Sequence, residues 1–198
     1  MFLKNVEKRD AIVQAALELI AEHGFHEAPM SMIASKAGVG AGTIYSYFEN
    51  KDGLIQDIFS ELSEKILARL QEGYCAEKSL HERYIHLNSK LMKYCIENPV
   101  HFRFIEQFMN SPFGVNVRRE KLFGEYIDES DIFQILFEQG VAQKMLKDFP
   151  LPVYFALSFG PLITITRDHV LGFITLDDKM IDDFVEACWE GIKASDKD

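Results

Sequence analysis

The fold is decided by Met30-Ser31-Met32-Ile33-Ala34-Ser35-Lys36-Ala37-Gly38-Val39-Gly40-Ala41-Gly42-Thr43-Ile44-Tyr45-Ser46-Tyr47-Phe48-Glu49-Asn50-Lys51-Asp52-Gly53-Leu54. Ile33, Ala34 and Ala37 give one short helix a small apolar face. Gly38 ends that helix, because glycine enters the left-handed region without steric cost. Val39-Gly40 is a tight connection, and Ala41–Phe48 reads as a second short helix. Asn50 is placed to cap a longer helix beginning at Lys51. Two short helices joined by a glycine turn form a helix-turn-helix pattern, and the alanines let the pair approach closely. On spacing alone, an ordinary helix pair inside a bundle is the commoner outcome.

Helical periodicity continues on both sides. Upstream, Ile12, Val13, Ala16, Leu17 and Ile20 fall on one face, Gly24 stands where a helix would stop, and Pro29 suits a first helical turn. Downstream, Leu54, Ile55, Ile58, Phe59, Leu62, Ile66, Leu67 and Leu70 carry an apolar face to about Gly73. Further helices are predicted over about Ser79–Glu97, Val100–Asn110, from about Arg118 or later to Lys144, from near Pro150, and from Asp177 or Asp178 to about Ala194. Asn98-Pro99 and Ser111-Pro112-Phe113-Gly114 read as breaks. No alternating strand pattern, repeat or low-complexity run occurs, so the expected class is all-α. Phe149–Thr166 carries no charge but holds Pro150, Pro152, Gly160 and Pro161. A helix buried on most sides, at a core or a subunit interface, fits it better than a membrane span.

The stretch from Ile33 to Leu54 resembles the DNA-binding signature of TetR-family transcriptional regulators, I-A-x-x-A-G-V-x-x-G-T-[IL]-Y-x-[YH]-F-x-x-K-x-x-L. The likeness reaches from about residue 6 to 60. It implies that Ala41–Tyr47 is a recognition helix entering the major groove by its N-terminal end. By the same resemblance, Gly40, Ala41 and Gly42 match positions nearest the bases. Thr43, Tyr45 and Tyr47 match phosphate or base contacts, and Lys51 a phosphate contact. Ser31 and Lys36 match backbone contacts, and Ser46 a variable recognition position. Tyr45 has a second reading, as a core residue under the first helix; Lys51 also reads as a solvated charge. Ile44, Phe48 and Val39 read as core. Relatives often carry Thr where this chain has Pro29 and Met30, so that hydroxyl contact is in doubt. No Arg, Asn or Gln lies between Gly40 and Phe48, which leaves specificity to Thr, Tyr, backbone amides and DNA shape.

Composition narrows the reading. The 198 residues include 21 Lys plus Arg and 31 Asp plus Glu, for a net charge of −10. Such a chain cannot coat nucleic acid over its whole surface; phosphate contact must be local. Residues 1–52 carry −2 and residues 53–198 carry −8, so the acidity lies mostly away from the helix-turn-helix. Weak nonspecific DNA binding with strong salt dependence is expected. Apolar residues make up 47%, a globular balance. Cys75, Cys95 and Cys188 are scattered, which argues against a disulfide scaffold or zinc ribbon and fits a reducing, cytoplasmic setting. The N-terminus shows no secretory signal.

The expected organisation is a DNA-binding domain over residues 1–52 and a ligand-binding and dimerisation domain over 53–198. One short helix reads few base pairs, so a homodimer on a palindromic operator is expected. The family likeness assigns the dimer interface to the last two helices, with Leu162, Ile163, Phe184, Cys188 and Trp189 as candidates and the monomer core as the other reading. Thirteen of the 16 Phe follow residue 52. They read either as core or as an aromatic pocket for a small apolar or aromatic ligand. Candidate ligand contacts are Tyr84, Tyr94, His101, Phe104, Gln107, Phe108, Phe133, Phe137 and Phe155. No metal, cofactor or catalytic motif is present to support an enzyme. The function expected is a DNA-binding regulator, in the family most often a repressor, released when a ligand tilts the helix that starts at Lys51. The alternatives are a ligand-independent regulator that docks a protein, and a helical binding protein or enzyme without DNA binding.

Overall fold

The structure, a computed structural model, describes residues 2–123 and 131–195. Among the described residues there are ten helices and no strand: α1 Phe2–His23, α2 Met30–Lys36, α3 Ala41–Ile44, α4 Lys51–Gln71, α5 Leu80–Glu97, α6 Pro99–Met109, α7 Pro112–Phe123, α8 Ile132–Ala142, α9 Leu151–Val170 and α10 Asp178–Ile192. The all-α expectation holds. Two compact units emerge, Met1–Lys65 with Asn98–Arg118, and Ile66–Glu97 with Arg119–Asp198. This packing departs from a division at residue 52. The first turns of α4 bury Leu54, Ile55, Ile58 and Leu62 in the first core, and α6 adds Phe104 and Phe108 to it.

The first unit is built around α1. Ile12, Ala16, Leu17 and Ile20 are buried as their spacing predicts and meet Ile33 and Ala34 of α2, Ile44 of α3 and Phe48. Gly24 (φ +79°) and Gly38 (φ +67°) take the left-handed conformation that ends α1 and turns the chain after α2. Pro29 is the N-cap of α2 and makes no side-chain cap, as expected without a hydroxyl there. Asn50 Oδ1 accepts from Gly53 N at 2.9 Å at the start of α4. Phe25 meets Phe104 and Phe113 edge-on, with centroids 6.1 and 6.4 Å apart, and Phe59 stacks on Phe108 at 3.8 Å.

The second unit packs α5, α8, α9 and α10 around Tyr84, Leu87, Leu136, Phe137, Tyr154, Leu162, Val185 and Ile192. Asp177 caps α10, accepting from Met180 N at 2.8 Å. An antiparallel bridge, Leu146 with Lys193, ties the α8–α9 connection to the end of α10.

Three expectations about helices need correction. The recognition helix is a single turn, Ala41–Ile44, where Ala41–Phe48 was expected; Tyr45 to Tyr47 follow as turns. There Ser46 Oγ donates to Thr43 O at 2.6 Å, competing locally with helix continuation. Ser111-Pro112 starts α7 where a turn was expected. Proline at a first helical position has no amide to lose, so one dipeptide serves both purposes. The helix expected to reach Lys144 begins at Ile132 behind an Asp131 cap and stops at Ala142, with Lys144 at φ +58°. Its expected stretch over 124–130 lies outside the described residues.

The uncharged segment does form a helix, α9, with Pro161 inside it. Within the chain it is not buried on most sides: one stripe, Tyr154, Ser158, Leu162 and Thr166, is covered, whereas Leu157 and Ile163 are exposed. Among the described residues no helix is long and apolar enough to cross a membrane.

Candidate nucleic-acid interface

The α2–turn–α3 segment presents its two sides differently. Ile33, Ala34, Ile44 and Phe48 are buried against α1 and α4, which fixes the backbone. On the other side Ser31, Lys36, Gly40, Ala41, Gly42, Tyr45 and Ser46 are exposed, and Thr43 and Tyr47 are half-buried. Seven of the ten candidate DNA contacts are therefore exposed, and Gly40, Ala41 and Gly42 among them carry little or no side chain. Gly40 N-caps α3 in an extended conformation (φ −67°, ψ 148°). A duplex can approach the backbone closely there, and the α3 amides are not screened by side chains.

Tyr45 is 56% exposed, so the reading that buries it under the first helix falls. Val39 is only half-buried, at the edge of the core. Met32 is a large apolar side chain left exposed on α2. Sequence reasoning passed over it, and only its offset from the buried Ile33 and Ala34 could have shown it.

The cations are more committed than their sequence positions suggest. Lys51 Nζ donates to the carbonyl of Phe25, past the end of α1, and is half-buried. Burial lowers its pKa, with Asp52 working in the opposite direction. That geometry ties the start of α4 to the α1–α2 turn. Lys36 pairs with Glu18 at 3.0 Å. Arg9 reaches Glu61 at 2.6 Å and Asp57 at 3.4 Å and lies 5.5 Å over the Phe48 ring. Three of the five basic residues of the first 52 thus hold the unit together.

The candidate ligand residues are divided between the units. His101, Phe104, Gln107 and Phe108 belong to the first and Tyr84, Tyr94, Phe133, Phe137 and Phe155 to the second. Phe104 and Phe108 are core of the α1 unit, packed with Phe25, Phe59 and Phe113. Gln107 is exposed, its amide beside Gly24. His101 is half-buried, its pKa lowered by burial and by the charge of Lys65. In the second unit Tyr84, Tyr94, Phe133 and Phe137 are buried and Phe155 half-buried. Phe137 stacks on Tyr154 at 4.9 Å, and Phe133 meets Phe159 edge-on at 4.7 Å. A groove of about 980 Å³ opens between the α8–α9 connection and the end of α10, lined by Leu146, Lys147, Trp189 and Lys193 among others and by none of the candidate ligand residues.

Of the candidate dimer residues, Leu162, Cys188 and Trp189 are buried within their own unit. Within the chain they lie beneath the exposed residues of α9 and α10. Ile163 is 41% exposed and Phe184 half-buried.

Residues 12–58 match the model of bacterial regulatory proteins of the tetR family, and residues 79–193 match a tetracyclin repressor-like C-terminal domain. The second match alone spans more than half of the chain, and the chain belongs to the TetR family of helix-turn-helix transcriptional regulators. It is 38% identical over 79 residues to the fatty acid metabolism regulator protein of Bacillus subtilis, covering 40% of this chain and 41% of that protein. It is 22% identical over 184 residues to an HTH-type transcriptional regulator of Haemophilus influenzae, covering 93% and 95%. A TetR-family transcription regulator of Marinobacter aquaeolei superposes with a TM-score of 0.84 at 23% identity, over 98% of this chain and all of that one.

Proposed function

We propose that the chain acts as a homodimeric repressor, seating two α3-led surfaces in successive major grooves of a palindromic operator and leaving it when a small apolar or aromatic ligand binds the second unit. The observation that carries DNA reading is the pairing of buried Ile44 and Phe48 with exposed Gly40–Gly42, Tyr45 and Ser46. A rigid backing with a small-residue front is what close approach to base edges requires. Pairing rests on the outer face of α9 and α10, where Leu157, Ile163 and Met180 are exposed. Coupling runs through α4, one continuous helix whose first turns, residues 51–65, belong to the first unit and whose end belongs to the second. A ligand that favours a different inclination of α4 moves the two reading surfaces off the groove spacing of about 34 Å. A coupling of about 1–3 kcal/mol lowers operator affinity roughly 5- to 150-fold.

The test is to sequence genomic DNA captured by the purified protein, then measure affinity for the recovered site by fluorescence anisotropy with and without a captured or screened small molecule. The reading expects a palindrome, two chains per site and weaker binding with ligand. Equal affinities with and without a bound ligand remove the regulatory part, and a monomer that ignores every palindrome removes the rest.

A further inference from the structure

The second unit contains three buried polar atoms without a hydrogen-bond partner: the Tyr84 hydroxyl, Asn88 Oδ1 and the Ser158 hydroxyl. All three residues are at 0% exposure. Buried polar groups are almost always paired, so three orphans in one helical packing form a pattern that needs an explanation. Tyr84 and Asn88 stand one turn apart on the same face of α5, with Asn88 Nδ2 donating to Tyr84 O at 2.9 Å and Oδ1 left over. Ser158 belongs to the buried stripe of α9, between Tyr154 and Leu162. Ser158 Oγ stands close enough to the Tyr84 hydroxyl to pull its pKa down, as a hydrogen-bonding neighbour does, against the larger upward push of burial, but the pair falls short of hydrogen-bond geometry and neither hydroxyl has a second partner. The Trp189 ring of α10 lies 5.2 Å from the Tyr84 ring.

We propose that Tyr84, Asn88 and Ser158 are the polar end of an internal ligand site, and that its ligand is an uncharged molecule with an apolar body and one hydroxyl head, a phenol or a neutral alcohol. This deepens, and rests on, the reading of the second unit as the sensing body. The chemistry selects the head group. Asn88 Oδ1 only accepts, whereas each hydroxyl donates and accepts. A single ligand hydroxyl has one proton to donate to Asn88 Oδ1 and two lone pairs to accept from Tyr84 and Ser158, which satisfies all three. A carboxylate would be buried without a counter-ion. The nearby buried cation, Arg83, is already committed to Tyr74 Oη and Gln139 Oε1, each at 2.8 Å. His81 is paired with Glu186 at 2.8 Å. Burial raises the pKa of both Tyr84 and Cys188, so the groups against the site stay neutral. Phe137 and Tyr154 share one apolar core with Tyr84, and Phe155 and Phe159 pack against it, so the surroundings of the polar groups are aromatic and suit an apolar body.

The experiment uses the full chain, titrated calorimetrically at neutral pH with 2-naphthol, naphthalene and 2-naphthoate, which share a body and differ in the head. Wild type is expected to bind 2-naphthol about ten-fold or more tighter than either of the others. Tyr84→Phe combined with Ser158→Ala is expected to bring the naphthol-to-naphthalene ratio to about one. Ligand-free Tyr84→Phe is expected to melt about 2 °C or more above wild type, since it removes an unpaired buried group. No naphthol preference in wild type, or a preference that survives the double substitution, overturns the proposal. So does a lower melting point for ligand-free Tyr84→Phe, which would show that internal water already pairs the hydroxyl. The regulatory reading is scored separately: if naphthol selectivity behaves as expected but operator affinity ignores naphthol, the site stands and the regulation falls. If a ligand releases the operator while naphthol selectivity ignores the substitutions, regulation stands and this site falls.

Discussion

The two units bury different things. Among the described residues of the first, the buried set is apolar apart from Ser111; the second buries Arg83, Asn88, Ser89, Gln134, Ser158 and Thr166. The first unit keeps its polar chemistry outside, on a small front of Gly40, Ala41, Gly42, Thr43, Tyr45 and Ser46, and uses its interior only for rigidity. The second carries polar atoms inside a bundle, where each must find a partner or lower stability. An exterior reader fits a large rigid ligand such as duplex DNA. An interior with unmet polar atoms fits a small ligand that can be enclosed.

The sharpest way to break this contrast is Phe104→Ala. Phe104 is fully buried beside Phe25. The substitution should cost about 3–5 kcal/mol by leaving a cavity, with a lower melting temperature and loss of operator binding. If Phe104 instead touched ligand, the variant would stay stable and bind DNA, losing only its response. Tyr45→Ala probes the outer front: operator affinity should fall about ten-fold, near 1.4 kcal/mol, with the melting temperature unchanged. A lower melting temperature would place Tyr45 in the core after all.

Lys51→Met sharpens the comparison further, because Lys51 sits between the two roles. The Lys51–Phe25 hydrogen bond predicts a stability loss of about 1 kcal/mol and an unchanged salt slope of DNA binding. A phosphate contact predicts a slope shallower by about one and unchanged stability. Arg9 and Lys36 are likewise internally paired, so the salt dependence of wild type should be shallower than the family resemblance alone suggests. The smallest expected effect is at His101. Burial, then the Lys65 charge, lowers its pKa from the ordinary 6.5. Its neutral form is favoured in the folded chain, so its contribution to stability is present above pH 6.5 and is lost as pH falls toward the lowered value. Melting temperature measured across that window should drop less steeply in His101→Gln than in wild type.

What could be read from the sequence followed from locality. Gly24 and Gly38 mark left-handed positions, Asn50 and Asp177 cap helices, and Ile12, Ala16 and Ile20 share a face, because each depends on neighbours within a turn. The exposed front of α3 was also readable, since the motif alternates residues that must pack with residues that cannot. The partners of an aromatic face were not. Phe104 and Phe108 have the same spacing whether they face α1 or a cavity, and only the tertiary packing of α6 on α1 decides. The family likeness points to Leu162, Cys188 and Trp189 as interface, and only the packing of α9 and α10 shows that one chain already covers them. The orphaned set of Tyr84, Asn88 and Ser158 joins two helices some seventy residues apart, beyond any periodicity. Ser111-Pro112 hid a helix start because break and N-terminus use the same residues.

The central claim is that the surface led by Gly40–Gly42 with Tyr45 meets the duplex. Amide hydrogen exchange of the full chain, with and without a genomic site it captures, tests it most directly. The account predicts that added protection centres on residues 40–47. Protection confined to the second unit, or none anywhere while the DNA is bound, would contradict it.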